Sequence, residues 1–379
     1  METFFGVIVG LLILVLLVVI HELGHAVMAK RNGVVVEEFG VGFPPRAWKK
    51  KLKNGVLLSI NWLPLGGFVK LQGEYDSADK KGDYGAASFA GKTKILFAGV
   101  AVNWLFAAIL LTILAWVGLP EIMPNQAMIA SDTTIINKPV EVVSVTKNHP
   151  AETTGIKIGD TITKFADQNI TTVEQLIKLT KENKGKNVEI VYTHDSKNNI
   201  KIVTLGNVGE GGYLGAGLGQ RRLIKATWSA PIVGFATTAQ LTWLSLQGMG
   251  GLVANTFNGL VSQLSFDANE RNKASQDLKE VGDSVAGPIG ILGTIFPAAQ
   301  KSGITQLIFL TAVISLSLAV MNALPIPALD GGRWFTKLVF KLSKKRLTKE
   351  REEKIQSVGF LVLMGLIVLV TFSDVAKLF

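Results

Sequence analysis

Two histidines four residues apart with an acid beside the first, His21-Glu22-Leu23-Gly24-His25, carry the spacing best suited to chemistry in this chain. On a helix, positions i and i+4 share a face, so both imidazoles can meet one metal ion while Glu22, turned slightly aside, reaches water at that ion. These are two of only four histidines, and Glu22 interrupts a run that is otherwise uncharged from Thr3 onward. An ionisable group is expensive in such a run unless it has a task. A histidine pair that merely anchors a helix end at a membrane surface would need no acid between its members. His149 and His194, the other two, lack ligand spacing. A hydrolytic zinc site wants three protein ligands and a water. With no cysteine in the chain, the third ligand must be another His or a carboxylate at similar depth. Asp330 is the acid that directly follows a late apolar run, in Asn322-Ala323-Leu324-Pro325-Ile326-Pro327-Ala328-Leu329-Asp330-Gly331-Gly332. Pro325 and Pro327 stop a helix while the chain is still apolar, and irregular backbone at such depth is tolerated where it lines a cavity or packs on protein.

The elements that must position these residues are membrane helices. The chain has 379 residues, 48% of them hydrophobic and 18% charged. A soluble protein carries about a quarter charged residues, so the composition argues against a cytosolic globule. Four stretches are long and apolar enough to span a bilayer, beginning near Phe4, Ile95, Ile304 and Ile355. The first has no basic leader and no small-residue cleavage site after it, which predicts a retained helix rather than a signal peptide. Residues 28–94 hold twelve Lys or Arg against six acids, and residues 331–356 hold nine basic residues. Both loops follow odd-numbered spans, so the excess of positive charge predicts that they are cytoplasmic and that both termini lie outside. The net charge of +10 therefore reports orientation, and nucleic-acid binding is not expected.

Between the second and third spans, residues from about Ile135 to Thr204 have soluble character. Strands are predicted at Val140–Val145, Ile162–Phe165, Val188–Tyr192 and Ile200–Val203, with a helix over Val173–Asn183. Pro150-Ala151, Gly155-Ile156 and Gly159-Asp160 resemble the turn signature of a bacterial protease-associated PDZ domain. Residues 206–219 read as a glycine-rich linker. Trp228–Leu264 reads as a pair of interfacial amphipathic helices interrupted by Gly248, Gly250 and Gly251.

Together, the His-Glu-x-x-His run in the first span and the Asn322-x-x-Pro325-x-Pro327-x-Leu329-Asp330-Gly331 run in a late one resemble the site-2 protease family of intramembrane zinc metalloproteases, peptidase family M50. The PDZ-like insertion points to the bacterial regulator of sigma-E protease type, here with a single PDZ where Gram-negative relatives usually carry two. The resemblance implies one zinc ion per chain, held by His21, His25 and Asp330, with Glu22 activating water. It also implies that Leu65-Gly66-Gly67-Phe68-Val69-Lys70 forms a membrane re-entrant β-loop whose edge pairs with unwound substrate. Gly66, Gly67, Phe68 and Val69 would then bind substrate; the alternative is an ordinary cytoplasmic hairpin. Asn322 would hold substrate backbone, the alternative being a polar helix-packing residue. Gly99-x-x-x-Asn103 resembles the family's packing motif near the site, and Gly287-Pro288-Ile289-Gly290 a structural one.

The expected fold is a polytopic α-helical membrane protein with about four transmembrane helices, an inserted extracytoplasmic PDZ-like α/β domain and a membrane re-entrant β-loop. Its expected parts are a first span with the zinc motif (1–29), the β-loop region (30–94), a second span (95–119) and the PDZ-like domain (120–220). Interfacial helices (221–303), a third span with Asp330 (304–335), a basic loop (336–354) and a fourth span (355–379) follow. The expected activity is cleavage within or next to transmembrane segments of single-span proteins in a bacterial plasma membrane, with anti-sigma factors and remnant signal peptides as substrate classes. Expected partners are those substrates, the lipid bilayer, and a peptide or substrate ectodomain at the PDZ-like domain. A catalytically inactive PDZ-bearing scaffold is the alternative, and a transporter with broken helices lacks the repeat symmetry it would need.

Overall fold

The computed structural model describes residues 2–194, 197–206, 213–263 and 287–376. Two compact units divide the chain, one formed by residues 1–112 with 234–379 and the other by residues 113–233. In the first unit, α1 (Glu2–Arg31) is 30 residues long, about 45 Å, more than the ~30 Å of a hydrocarbon core. Two long strands follow, β1 (Val36–Lys51) and β2 (Leu57–Leu71). Both are bent, so Glu38–Val41 of β1 pairs on one side with Leu57–Ile60 and on the other with Gly67–Lys70, while Arg46–Lys51 pairs with the first arm of β2. The result is a curled sheet of four short strips with Gly67–Leu71 along one edge. The buried Glu38 carboxylate pins the bend, accepting from Arg46 Nη2 at 2.5 Å, Arg46 Nε at 3.0 Å and Ser59 Oγ at 2.7 Å. Phe43, Trp48, Ile60, Trp62 and Leu63 of this sheet are exposed. Then α2 (Phe89–Val117) packs Ile95 and Leu96 against Ala26 and Ala29 of α1, Val36 of β1 and Tyr84.

The second unit is an αβ domain. It contains β3 (Leu119–Pro120), β4 (Thr134–Val145), α3 (Pro150–Thr154), β5 (Thr161–Phe165), β6 (Gln168–Asn169), α4 (Val173–Glu182), β7 (Asn187–His194), β8 (Lys197–Thr204) and β9 (Ala216–Lys225). The sheet order is β3-β9-β4-β5-β7-β8, with β6 paired to β5. Thr172 caps α4, its Oγ1 accepting from Gln175 N–H at 3.1 Å, and Leu176 and Leu179 then point into a core with Val140, Ile162, Phe165 and Ile190. The strands and helix anticipated from hydrophobic alternation in this segment are present at the expected residues.

The helix α5 (Ala230–Gln263), which belongs to the first unit from Gly234 onward, runs unbroken through Gly248, Gly250 and Gly251, which corrects the expected interruption. Glycine lowers helix stability by about 1 kcal/mol relative to alanine but still closes the backbone hydrogen bonds, so three of them do not break a helix of 34 residues. Residues 207–212 of the anticipated linker and 264–286 of the anticipated interfacial segment lie outside the described residues. Next come α6 (Pro288–Gly290), a π-helical turn over Ile291–Ile295, α7 (Phe296–Lys301), α8 (Ile304–Ala323), α9 (Asp330–Leu342) and α10 (Lys349–Ala376). Four helices among the described residues are long and apolar enough to cross a membrane: Thr3–Arg31, Phe89–Val117, Ile304–Ala323 and Lys349–Val375. This is an integral membrane protein.

Between α8 and α9 the six residues 324–329 are non-helical, as Pro325 and Pro327 require. The segment folds back tightly on α9: a side chain at Gly331 would strike the Ala323 carbonyl, and one at Gly332 the Ile326 carbonyl. Ala328 is held at φ 77°, left-handed for a residue with a Cβ, and its N–H donates to Gln356 Oε1 of α10 at 2.6 Å. Asp330 is thus fixed by its neighbours on both sides.

In the second unit, Phe165→Ala removes a fully buried ring and is expected to cost about 3–5 kcal/mol. Hydrogen exchange of the intact chain should show protection lost across β5 and β7, with the amides of α1 and α2 unchanged.

Candidate metal centre

His21 and His25 occupy successive turns of α1, and both are 8% exposed. Their Nε2 atoms lie 3.1 Å apart. Asp330, the first residue of α9, brings Oδ2 to 3.1 Å from His21 Nε2 and 3.2 Å from His25 Nε2. Three potential ligand atoms therefore form a nearly equilateral triangle. A tetrahedral ion with ligand bonds of about 2.0–2.1 Å spaces its ligand atoms by about 3.3 Å. The triangle fits such an ion, and two imidazole nitrogens with one carboxylate oxygen are a zinc donor set.

The surroundings favour the same assignment. His25 Nδ1–H donates to the Ile95 carbonyl of α2 at 2.8 Å, which leaves the Nε2 lone pair aimed into the triangle. His21 Nδ1 is buried without a hydrogen-bond partner. Close helix packing makes the arrangement possible: a Cβ on Gly24 would sit 2.7 Å from the Ala98 carbonyl oxygen, and one on Gly99 would sit 2.5 Å from His25 Nε2 and 2.7 Å from His21 Cε1. The absence of a side chain at Gly99 is what lets α2 lie directly on both imidazoles.

Glu22 stands outside the triangle and lines a cavity of about 460 Å³ together with His25 and Asp330. Phe68, Val69, Lys70 and Leu71 of the β2 edge line the same cavity. Gly67 lies against α1, where a Cβ would come 3.6 Å from Glu22 Cγ, whereas Gly66, at φ 87°, faces the Phe43 ring. Asn103 is fully buried one turn along α2 from Gly99; its main-chain oxygen accepts from Ser315 Oγ of α8 at 2.9 Å, and its side chain has no hydrogen-bond partner. The structure does not bring Asn322 to the cavity lining: its Nδ2 donates to the Leu318 carbonyl within α8 at 3.0 Å. His149 and His194 belong to the second unit.

Three contributors escape sequence reasoning: the Ile95 carbonyl, Tyr84 and Arg333. A carbonyl leaves no trace in residue type. Arg333, one turn after Asp330, could have been found from helical periodicity. Tyr84 and Arg333 line the cavity with the metal-centre residues. Burial pushes the Tyr84 hydroxyl well above the ordinary tyrosine range, so it stays protonated, and it has no hydrogen-bond partner.

The family model for peptidase family M50 matches residues 9–366. The chain belongs to peptidase family M50. A Clostridium perfringens relative bearing a zinc-metalloprotease name is 32% identical over 97% of this chain and 98% of its own length. Zinc metalloprotease RasP of Bacillus licheniformis is 26% identical over 98% of this chain and 99% of its own. Regulator of sigma-W protease RasP of Bacillus subtilis is 24% identical over 96% of each. Among solved structures, the PDZ domain of an SdrC-like protein from Listeria monocytogenes is similar at 28% identity, covering 21% of this chain and 86% of that one, with a TM-score of 0.20. This M50 member is a site-2 protease-type zinc metalloprotease, and zinc is its cofactor.

A methyl group at position 99 meets both imidazoles. Gly99→Ala is accordingly expected to leave the purified protein with well under one zinc per chain while far-UV circular dichroism is unchanged, as metal analysis would read.

Proposed function

We propose that this protease hydrolyses peptide bonds within or next to the transmembrane segments of single-span membrane proteins, with zinc held by His21, His25 and Asp330. The observation that carries the reading is the convergence of Asp330 with His21, Glu22 and His25 of a membrane-spanning helix, at a cavity bordered by a sheet edge. Bound there, zinc polarises the scissile carbonyl and acidifies a water. Glu22 takes the proton from the attacking water and delivers it to the departing nitrogen. The edge strip Gly67–Leu71 pairs with β1 on one side, and among the described residues no strand covers its other side. A helical substrate must unwind before its carbonyls can be attacked, and an unwound segment recovers its backbone hydrogen bonds by adding to that edge as a strand. The exposed Trp48, Trp62 and Leu63 support immersion of the curled sheet in the membrane as a re-entrant β-loop.

The basic loops support an orientation with residues 30–94 and 336–354 cytoplasmic, and with both termini and the αβ domain outside. The αβ domain serves as a PDZ-like element that receives a peptide end or screens substrate ectodomains. Anti-sigma factors fit as substrates, a reading supported by the name of the Bacillus subtilis relative.

Glu22→Gln keeps the shape of the side chain and removes the base. Cleavage of a membrane-spanning reporter by the purified variant is expected to fall by at least about 100-fold with zinc content unchanged. Retention of full cleavage would remove Glu22 from the mechanism.

A further inference from the structure

Asp330 opens α9, and one turn later Arg333 lines the same cavity as Glu22, His25 and Asp330. Other cations of this region have acidic partners: Lys92 Nζ is 2.5 Å from Asp76 Oδ1, Lys337 Nζ is 2.5 Å from Glu352 Oε1, and Lys70 Nζ is 2.9 Å from Glu37 Oε2. Among the described residues the Arg333 guanidinium makes no such ion pair or side-chain hydrogen bond. Its contact is with the face of Tyr84, Cζ lying 6.0 Å from the ring centroid. Glu74, a further acid of the cavity, is engaged by the Leu71 N–H at 3.0 Å. Tyr84 is 1% exposed and packed among Val36, Ile95 and Leu96, so the guanidinium rests against a fixed aromatic wall.

A half-buried guanidinium in the cavity of the reacting groups, acted on by the Glu74, Asp330 and Glu352 carboxylates but at ion-pair distance from none of them, is placed to meet an anion that arrives from elsewhere. Peptide hydrolysis generates one in this cavity. The oxygen of water bonds to the scissile carbonyl carbon, whose own oxygen gains negative charge. One proton of the water passes through Glu22 to the nitrogen, the C–N bond breaks, and the second proton moves from the new carboxyl group to the amine, so that the products are a carboxylate and an ammonium. A planar carboxylate matches the two-pronged donor geometry of arginine, which keeps all its protons throughout.

We propose that Arg333 stabilises the scissile carbonyl oxygen as it becomes negative and then holds the new carboxylate end of the cleaved chain. This rests on the protease reading above. It makes the cavity a binding site for apolar peptides that end in a free carboxylate, and it assigns Arg333 a part in the reaction separate from zinc ligation and proton transfer.

The test uses the full-length protein in nanodiscs and a fluorescent apolar peptide prepared with either a free C-terminal carboxylate or a C-terminal amide. Zinc-free wild-type protein is expected to bind the acid about 10-fold more tightly than the amide, and Arg333→Met to bind both alike. With zinc restored, Arg333→Met is expected to lower kcat on the order of 100-fold with a much smaller change in KM and an unchanged zinc content, and Arg333→Lys to recover part of the loss. Equal affinity for acid and amide in the zinc-free wild type overturns the proposal without reference to any variant, as does an acid preference that survives in Arg333→Met. If the wild type cleaves a reporter but shows no acid preference, the role of Arg333 falls and the protease reading stands. If it prefers the acid but cleaves nothing, the carboxylate site stands and the protease reading falls.

Discussion

Everything else in the first unit depends on bringing three polar ligand atoms within about 3 Å of one another from two chain segments whose surroundings are apolar. Unscreened, such groups are costly at membrane depth. The chain meets the requirement by close packing. Gly24 and Gly99 let α1 and α2 approach until the second helix covers both imidazoles, and Gly331 and Gly332 let the proline-broken segment fold against the helix that Asp330 begins. The Ile95 carbonyl then sets the tautomer of His25. These glycines are part of the metal centre in a physical sense, because a side chain at any of them collides with a ligand or with the backbone that aims one.

Breaking α8 at Ala323 has a second consequence. A continuous helix would carry Asp330 nearly two turns further along its axis, whereas the irregular segment 324–329 lets the next helix start at the ligand itself. Helix α9 then presents its first turn to the cavity, with Asp330 and Arg333 on one face. The strained Ala328 is held by Gln356 of α10, so the position of the acid depends on a helix that contributes no ligand. In the same cavity wall, the buried Glu38, held by Arg46 and Ser59, fixes the bend of the sheet whose edge brings Phe68–Leu71 to the cavity. The two histidines and the base thus share α1, while Asp330 and the sheet edge are positioned by supports of their own.

Much of this was legible in the residues. The i, i+4 histidines with Glu22, the acid after a proline-broken apolar run, the four apolar helices and the alternating strands of the αβ domain all follow from short-range patterns. What was not legible comes from longer range or from residue types that mislead. Gly248, Gly250 and Gly251 look like breaks, yet α5 continues through them because the backbone ladder tolerates glycine. Tyr84 reaches the site only through tertiary packing with α1 and α2, which no local period reveals.

Zinc K-edge X-ray absorption on the purified, metal-loaded wild-type protein tests the ligand set most directly. Coordination by His21, His25 and Asp330 predicts only nitrogen and oxygen ligands at about 2.0–2.1 Å, with outer-shell scattering from two imidazoles that drops to one in His25→Ala. A spectrum requiring three or more imidazoles, or one unchanged by His25→Ala, would contradict it.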